Sequence, residues 1–229
     1  DYVLVAHEEF YTEALTLASH RSDSGLRVAT VKVQDVYDEF NYGILNPQAI
    51  RDFLSYAYYN WIDPAPTYVL LVGDATYDYK DNFGTGVISY VPAQIVETDQ
   101  LGETPSDNWF VTVSGSDILP DMFIGRLTAQ TNSQVNDVVA KIIDYEQNPP
   151  AASWNTEVLL VADDGDSQSG YVTVFEDNSD QLADRLPAYY TANKIYVHDY
   201  PPGNPTTDIT NAINSGSLLV NYFGHGSYN

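Results

Sequence analysis

Short apolar runs alternate with longer amphipathic stretches along the whole of this sequence. The apolar runs have the length of strands, and we predict strands at 2–6, 28–33, 68–73, 121–125, 157–162, 194–198 and 217–222. Helices are predicted between strands, at 8–21, 47–61 and 133–147. Because parallel strands need a crossover connection, usually a helix, this order indicates parallel sheets built from β-α-β units. The alternation therefore predicts an α/β fold.

A pair of prolines, Pro149 and Pro150, follows the third predicted helix. Proline ends a helix because it lacks a backbone N–H and its ring clashes with the preceding turn. A second series of strands and helices begins after the pair. We predict an N-terminal α/β unit over residues 1–148 and a C-terminal unit over residues 149–229. Within the latter, 157–162 and 217–222 are expected to run parallel in one sheet.

Composition excludes several classes of partner. The 229 residues include 32 acidic and 9 basic side chains, a formal net charge of −23, and no cysteine. A surface this negative repels phosphate backbones and anionic lipids, which disfavours nucleic acids and membrane surfaces and favours cations. No apolar run reaches the roughly 18 residues of a membrane helix. Without cysteine there is no disulfide or zinc–thiolate site, and the many tyrosines and small polar residues are typical of a secreted or cell-surface protein.

The sharpest local signal is Phe-Gly-His-Gly-Ser at 223–227. Its histidine, His225, follows a predicted buried strand and is flanked by two glycines. Loops at the carboxyl ends of parallel strands border a crevice, so a ring at this position is placed for use as a general base. The bare backbone N–H groups beside it suit an oxyanion hole. A turn histidine satisfied by backbone partners is the alternative, and the motif alone leaves both open.

The loop 114–121 contains two acids four residues apart, Asp117 and Asp121. Carboxylates with backbone carbonyls between them are the hard oxygen donors that calcium prefers. A solvated turn with an aspartate cap explains the same residues. The chemistry of the loop therefore leaves calcium binding and a plain turn open.

A second acidic turn, Asp163-Asp164-Gly165-Asp166, follows the predicted strand 157–162. It lacks the glycine and glutamate positions of the helix-loop-helix calcium loop. A solvated turn is therefore the favoured interpretation, unless one carboxylate orients a histidine.

Seven segments in order along the chain match one family. They are Gly25-Leu-Arg-Val28 with the run to Val33, Thr67 to Asp74, Ser106-Asp107, Phe123-Ile-Gly-Arg126, Tyr145-Glu146, Trp154 and Asn221 to Ser227. Together they resemble the gingipain-type cysteine peptidases over essentially the whole chain. The resemblance implies a caspase-like α/β fold, with two adjacent, mainly parallel sheets flanked by helices. It also implies a cysteine endopeptidase that acts on proteins or peptides.

The resemblance further implies roles for single residues near the Gly-His-Gly segment. His225 matches the family's catalytic base, and the backbone N–H of Gly226 matches a donor of the oxyanion hole. In the family, a carboxylate in the loop after the first strand of the second subdomain orients the histidine. Asp164 is the preferred match for that carboxylate, with Asp163 next.

The family's calcium site lies just before the Phe-Ile-Gly-Arg segment. Two acids and the carbonyls between them bind the ion in gingipains. Asp117 and Asp121 match these acids, and the carbonyl oxygens would come from Ser114 and Leu119. The resemblance therefore implies calcium as a cofactor.

The nucleophile departs from the family pattern. The family's cysteine lies a few dozen residues after the histidine, on the next strand, whereas this sequence runs from Asp1 to Asn229 without one. We expect a segment upstream of Asp1 to have been removed. We expect the thiol on a C-terminal segment that is missing or on a second chain, so these residues alone should be inactive. The acid that selects arginine in some members has no clear counterpart; Thr173, Phe175 and Glu176 stand near its place.

Two functions are compatible with these features. The first is a portion of a secreted cysteine endopeptidase that supplies His225 and the oxyanion-hole backbone. The second is a non-catalytic, calcium-stabilised binding or secretion-associated domain that keeps the peptidase fold. A cysteine at the family's position downstream would favour the first, and another residue there would favour the second.

Overall fold

A computed structural model describes residues 1–99, 102–165, 173–200 and 205–226. The chain divides into two compact units, Asp1–Pro149 and Pro150–Asn229. The division falls between the two prolines that follow the long third predicted helix.

The N-terminal unit is built on a parallel sheet. Its described strands are β1 (Tyr2–Ala6), β2 (Val28–Lys32), β3 (Tyr68–Val72), β4 (Gln94–Thr98), β5 (Gly102–Ser106) and β6 (Phe123–Leu127). Four of them form the sheet in the order β2-β1-β3-β6, and every neighbouring pair is parallel. The remaining two, β4 and β5, pair antiparallel in a separate ribbon.

Four helices cover the two faces of this sheet. They are α1 (Tyr11–Asp23), α2 (Val33–Asn41), α3 (Pro47–Asn60) and α4 (Asn132–Gln147). Along β1, Val3 and Val5 belong to the core that α2 and α3 form, whereas Leu4 and Ala6 belong to the core of α1 and α4. Strands covered on both faces are apolar throughout, which explains the continuous hydrophobic runs in the sequence.

The C-terminal unit repeats the design with fewer elements. Its described strands and helices are β7 (Glu157–Ala162), α5 (Val174–Arg185), β8 (Thr191–Tyr196), α6 (Thr206–Ser215) and β9 (Leu219–Phe223). The strands form a parallel sheet in the order β8-β7-β9. The predicted parallel partnership of 157–162 with 217–222 is confirmed.

Short 3-10 helices occur in both units, at Glu8–Phe10, Asn108–Val111, Ser153–Thr156 and Val197–Asp199.

The two helices of this unit lie on opposite faces of its sheet. On one face, Leu159, Val161 and Ile195 pack with residues of α6. On the other face, Asp180 of α5 accepts hydrogen bonds from Lys194 Nζ at 2.8 Å and from the Tyr196 hydroxyl at 2.6 Å. In the part of the chain described here, no helix is both long and apolar enough to cross a membrane.

The structure differs from the predicted elements where the apolar pattern is ambiguous or absent. Helix α2 begins at Val33, inside a run predicted as strand, because Val33, Val36 and Tyr37 bury one side of a helix instead. Strand β5 contains glycine and proline and has no apolar run, so the sequence carries no strand signal there.

Arg126, from the Phe-Ile-Gly-Arg segment, is buried and ties β6 to neighbouring loops. Its Nε and Nη2 donate to the two carboxylate oxygens of Asp107, at 2.9 and 2.7 Å. Its Nη1 donates to the carbonyl oxygens of Gly73 and Val91, at 2.8 and 2.6 Å. The planar guanidinium makes such a fork geometry possible, so this motif residue stabilises the fold of the N-terminal unit.

Candidate active site

The carboxyl ends of β7 and β9 bring together two side chains that are 62 residues apart, those of Asp163 and His225. The Asp163 N–H donates to the Phe223 carbonyl at 2.9 Å and so continues the parallel ladder beyond the strands. His225 Nδ1 lies 2.9 Å from Asp163 Oδ2, and the His225 backbone N–H donates to the same oxygen at 3.3 Å. Strand pairing therefore creates the contact between the two side chains.

The contact decides which ring nitrogen of His225 remains available. An ionised carboxylate only accepts hydrogen bonds, so Nδ1 carries the proton that points at Asp163. The neutral ring then has its lone pair on Nε2. The His225 side chain is 60% exposed, which leaves the ring accessible from solvent. This is the arrangement of a histidine that can take a proton from an incoming group.

Asp163 is held in its ionised form. Its partial burial disfavours the charge, but hydrogen bonds from the His225 ring, the His225 N–H and the Asp164 N–H outweigh burial and lower the pKa of Asp163 below its usual value. The Asp164 N–H donates to Asp163 Oδ1 at 3.0 Å. A fixed negative charge therefore lies beside the His225 ring.

The resemblance prefers Asp164, with Asp163 next, as the acid that orients the histidine, and in the structure Asp163 is the one that contacts the His225 ring. The Asp164 residue is exposed; its N–H donates to Asp163 Oδ1, and its side chain also forms a hydrogen bond to Asp163 that helps lower the pKa of Asp163. The physical reason is the register of β7 with β9, in which Ala162 pairs with Phe223. Asp163 is the next residue and lies beside the turn that carries the histidine. Asp166 and Ser227, which belong to the same two motifs, lie outside the described residues.

The two glycines around His225 have different structural roles. A Cβ at Gly224 would lie 2.6 Å from the Asp163 Cβ and would press on the phenol of Tyr222, so only glycine fits there. Gly226 is exposed, and a Cβ there would meet no atom of the described chain within 4 Å. The Gly226 N–H has no acceptor among the described residues, so it is free to bind an oxygen of a ligand.

Two aromatic residues that the motif analysis did not assign to the site also hold His225. The ring of Phe175 meets the His225 ring edge-on, with 5.0 Å between centroids and planes at 86°. The hydroxyl of Tyr222 donates to the His225 carbonyl oxygen at 3.0 Å. Tyr222 stands within the matched segment Asn221 to Ser227, but its pairing with a backbone carbonyl three residues later has no signal in the sequence.

The positions near the family's arginine-selecting acid lie at the start of α5. The Thr173 hydroxyl donates to Asp177 at 3.0 Å, and Phe175 packs on His225. Glu176 is 7% exposed, and both of its carboxylate oxygens are buried without a hydrogen-bond partner in the described parts of the chain. None of these three residues offers an exposed carboxylate.

The acids of loop 114–121 each use one oxygen to organise the loop itself. Asp121 Oδ2 accepts from the N–H groups of Val113 and Ser114, both at 2.7 Å, and Asp117 Oδ1 accepts from the Leu119 N–H at 2.9 Å. The second oxygen of each acid makes no hydrogen bond to the described residues. These oxygens and the loop carbonyls have the donor chemistry of a calcium site. Across the described ranges, no group of three or more histidine or acidic side chains could hold a metal ion.

Comparison with known proteins identifies one family over the whole chain. The sequence profile of peptidase family C25 matches residues 1–229. Gingipain R2 of Porphyromonas gingivalis is 25% identical over 226 residues, which cover 98% of this chain and 27% of that protein. The chain thus spans about a quarter of the length of this relative.

Solved structures share the fold. The complex of the pro- and mature domains of RgpB from P. gingivalis matches with a TM-score of 0.73 and 24% identity, over 99% of this chain and 48% of that one. The Arg-specific cysteine proteinase gingipain R matches with a TM-score of 0.70 and 24% identity, over 99% and 47% of the respective chains. The predicted caspase-like α/β fold is confirmed by these matches. Together with the whole-length profile match, they show that this chain belongs to peptidase family C25, the gingipain-type cysteine peptidases.

Proposed function

We propose that this chain supplies the proton-transfer histidine and an oxyanion-binding backbone group of a cysteine endopeptidase, while the nucleophilic thiol lies outside these 229 residues. The observation that carries the proposal is the Asp163–His225 pair at the carboxyl edge of the second sheet. The sequence has no cysteine, so the thiol must come from another segment of the protein or from a second chain. The substrate is a protein or peptide, and the absence of cysteine together with the many tyrosines and small polar residues supports a secreted or cell-surface location.

The chemistry follows from the atoms that the site presents. Nε2 of His225 takes the proton of the thiol, and the Asp163 carboxylate stabilises the resulting imidazolium. The thiolate attacks the carbonyl carbon of the scissile peptide bond, and the new oxyanion accepts a hydrogen bond from the Gly226 N–H. The imidazolium then gives its proton to the amine as the C–N bond breaks, which leaves the acyl group on the sulfur as a thioester. Water hydrolyses this thioester with His225 acting as the base, which releases the carboxylic acid and restores the thiol.

The edge of the second sheet offers a place for the thiol-bearing segment. Among the described strands, β9 has a neighbour on one side only, which is β7. Its side chains Leu219, Val220 and Tyr222 are about half exposed, at 50%, 47% and 54%. An edge strand has unpaired backbone groups that can accept another strand. A segment that pairs parallel to β9 would end beside His225, which is where the thiol is needed.

The 229-residue chain alone is expected to hydrolyse no peptide bond, because covalent catalysis requires the nucleophile that it lacks. Adding the thiol-bearing segment, covalently or as a second chain, should restore cleavage of a fluorogenic peptide, and iodoacetamide should abolish that cleavage. Hydrolysis by the purified 229-residue chain that resists iodoacetamide would contradict the proposal.

We further propose that loop 114–121 binds calcium through Asp117 and Asp121, with carbonyl oxygens from Ser114 and Leu119. Calcium at about 100 times its Kd should add about 2.7 kcal/mol to the free energy of unfolding of the N-terminal unit. Thermal unfolding followed with calcium and with EGTA measures this difference. The difference should disappear in Asp117→Ala and remain in Asp137→Ala, which removes an exposed aspartate of α4. An EGTA-insensitive melting temperature in the unsubstituted chain would exclude the site.

A further inference from the structure

The phenol of Tyr222 folds over the turn that carries His225. From its position on β9, its hydroxyl donates to the carbonyl oxygen of His225 at 3.0 Å. That carbonyl and the N–H of Gly226 belong to a single peptide group. Because a peptide group is planar and trans, its C=O and N–H point in opposite directions. Fixing the carbonyl therefore fixes the direction of the N–H.

We infer that Tyr222 is a positioning residue that orients the Gly226 N–H toward the oxyanion of the reaction intermediate. This inference rests on the proposed function, in which Gly226 supplies that N–H. Tyr222 acts through the peptide group between His225 and Gly226. Its hydroxyl binds the carbonyl oxygen of that group, and the N–H at the opposite end is the oxyanion donor.

The turn needs such a tether. Gly224 and Gly226 flank the histidine, and glycine has more backbone conformations available to it than any other residue. The Gly226 N–H has no acceptor within the described segments that could hold its direction from its own side. Oxyanion donors contribute most when they are already oriented before the charge develops. Among the described residues, Tyr222 is the one that donates a hydrogen bond to the carbonyl oxygen of this peptide group.

Tyr222 is itself well anchored for this role. Its backbone lies in the parallel ladder, opposite Val161 of β7. Its ring packs against the bare backbone of Gly224, where a Cβ would lie 2.5 Å from the ring carbon that bears the hydroxyl. Partial burial and then the negative charge of Asp163 raise the pKa of Tyr222, so the hydroxyl keeps its proton and remains a donor. The hydrogen bond also polarises the peptide group, which makes the N–H a stronger donor.

The variant Tyr222→Phe removes the hydroxyl and keeps the ring against Gly224. In the intact, thiol-bearing protein we expect kcat to fall roughly 5- to 50-fold with KM unchanged. This is less than the roughly 10²–10³-fold loss that follows removal of an oxyanion donor. A peptide aldehyde, whose thiol adduct carries the same oxyanion, should bind more weakly by a similar factor. Alkylation of the thiol by iodoacetamide needs no oxyanion donor, so its rate should stay within about 2-fold of the unsubstituted protein.

Tyr200→Phe is the matched control, because Tyr200 belongs to the same unit and its hydroxyl donates to Asp208 at 2.9 Å, away from the turn. It should change none of these measurements. A second readout does not depend on activity: in the 229-residue chain, the backbone ¹⁵N order parameter of Gly226 should fall in Tyr222→Phe and not in Tyr200→Phe.

The outcomes separate this inference from the proposed function. If His225→Ala keeps full activity, the proposed function fails, whereas the order parameter of Gly226 still reports on Tyr222. If Tyr222→Phe lowers alkylation and hydrolysis equally, Tyr222 supports the histidine ring rather than the N–H, and the inference is overturned. An unchanged order parameter together with unchanged aldehyde affinity also overturns it.

Discussion

Replacing His225 with alanine in the thiol-bearing protein is expected to lower kcat/KM on the order of 10⁴-fold or more. In the proposed mechanism the ring provides both proton transfers, and no other histidine contacts Asp163 in the described chain. Without the imidazole, the thiol is largely protonated near neutral pH and the amine leaves without a proton. Initial rates on a fluorogenic peptide measure the loss.

His198→Ala is the matched control for this experiment. His198 is an exposed histidine in the same unit, within the 3-10 helix Val197–Asp199. Its replacement should leave the rate within about 2-fold of the unsubstituted protein, as for surface changes away from a site. Retention of most of the activity by His225→Ala would show that another group transfers the proton.

The second large effect is expected from Asp163→Asn. Asparagine has the shape of aspartate, but its amide can donate to Nδ1 and so favours the ring tautomer with the proton on Nε2. That tautomer has no lone pair facing the thiol, and the charge that stabilises the imidazolium is also lost. We expect kcat to fall on the order of 10²-fold or more, in the direction known for serine-peptidase triads.

Asp164→Asn provides the contrast for this prediction, since the two acids are adjacent. Asp164 contacts Asp163 through its N–H and its side chain, but within the described residues it makes no hydrogen bond to the His225 ring. Its side-chain replacement should therefore change kcat by less than about 3-fold. Equal losses in the two variants, or a larger loss in Asp164→Asn, would restore Asp164 as the orienting acid and contradict the assignment to Asp163.

The sheets and the place of His225 could be predicted because they depend on strong, regular signals. Fully buried parallel strands such as β3 and β7 appear as unbroken apolar runs, and the right-handed crossover rule limits how they pair. β9 is a half-exposed edge strand rather than the predicted buried one, but its apolar run still indicates a strand, so a histidine between two glycines after it lies at the carboxyl edge. The choice between Asp163 and Asp164 depends on register, and a shift of one residue decides which carboxylate reaches the ring.

Other features depend on contacts that no local pattern records. The hydrogen bond from Tyr222 and the edge-on packing of Phe175 arise only when β9 and α5 are in place. Helix α2 directly follows β2 without a glycine or proline, so its beginning at Val33 has no breaker to mark it. The matched residue Arg126 acts on the fold through Asp107, which the motif alone does not reveal.

In the proposed mechanism His225 acts on a thiol that these residues do not contain. The pH profile of thiol alkylation by iodoacetamide, in the intact protein and in His225→Ala, measures this action on the sulfur itself. A free cysteine has a pKa of about 8.5, and pairing with a histidine lowers it into the range of about 3.5–7.5. We predict rapid alkylation below pH ~7 in the unsubstituted protein and a free-thiol profile in His225→Ala. Identical profiles in the two proteins would contradict the claim.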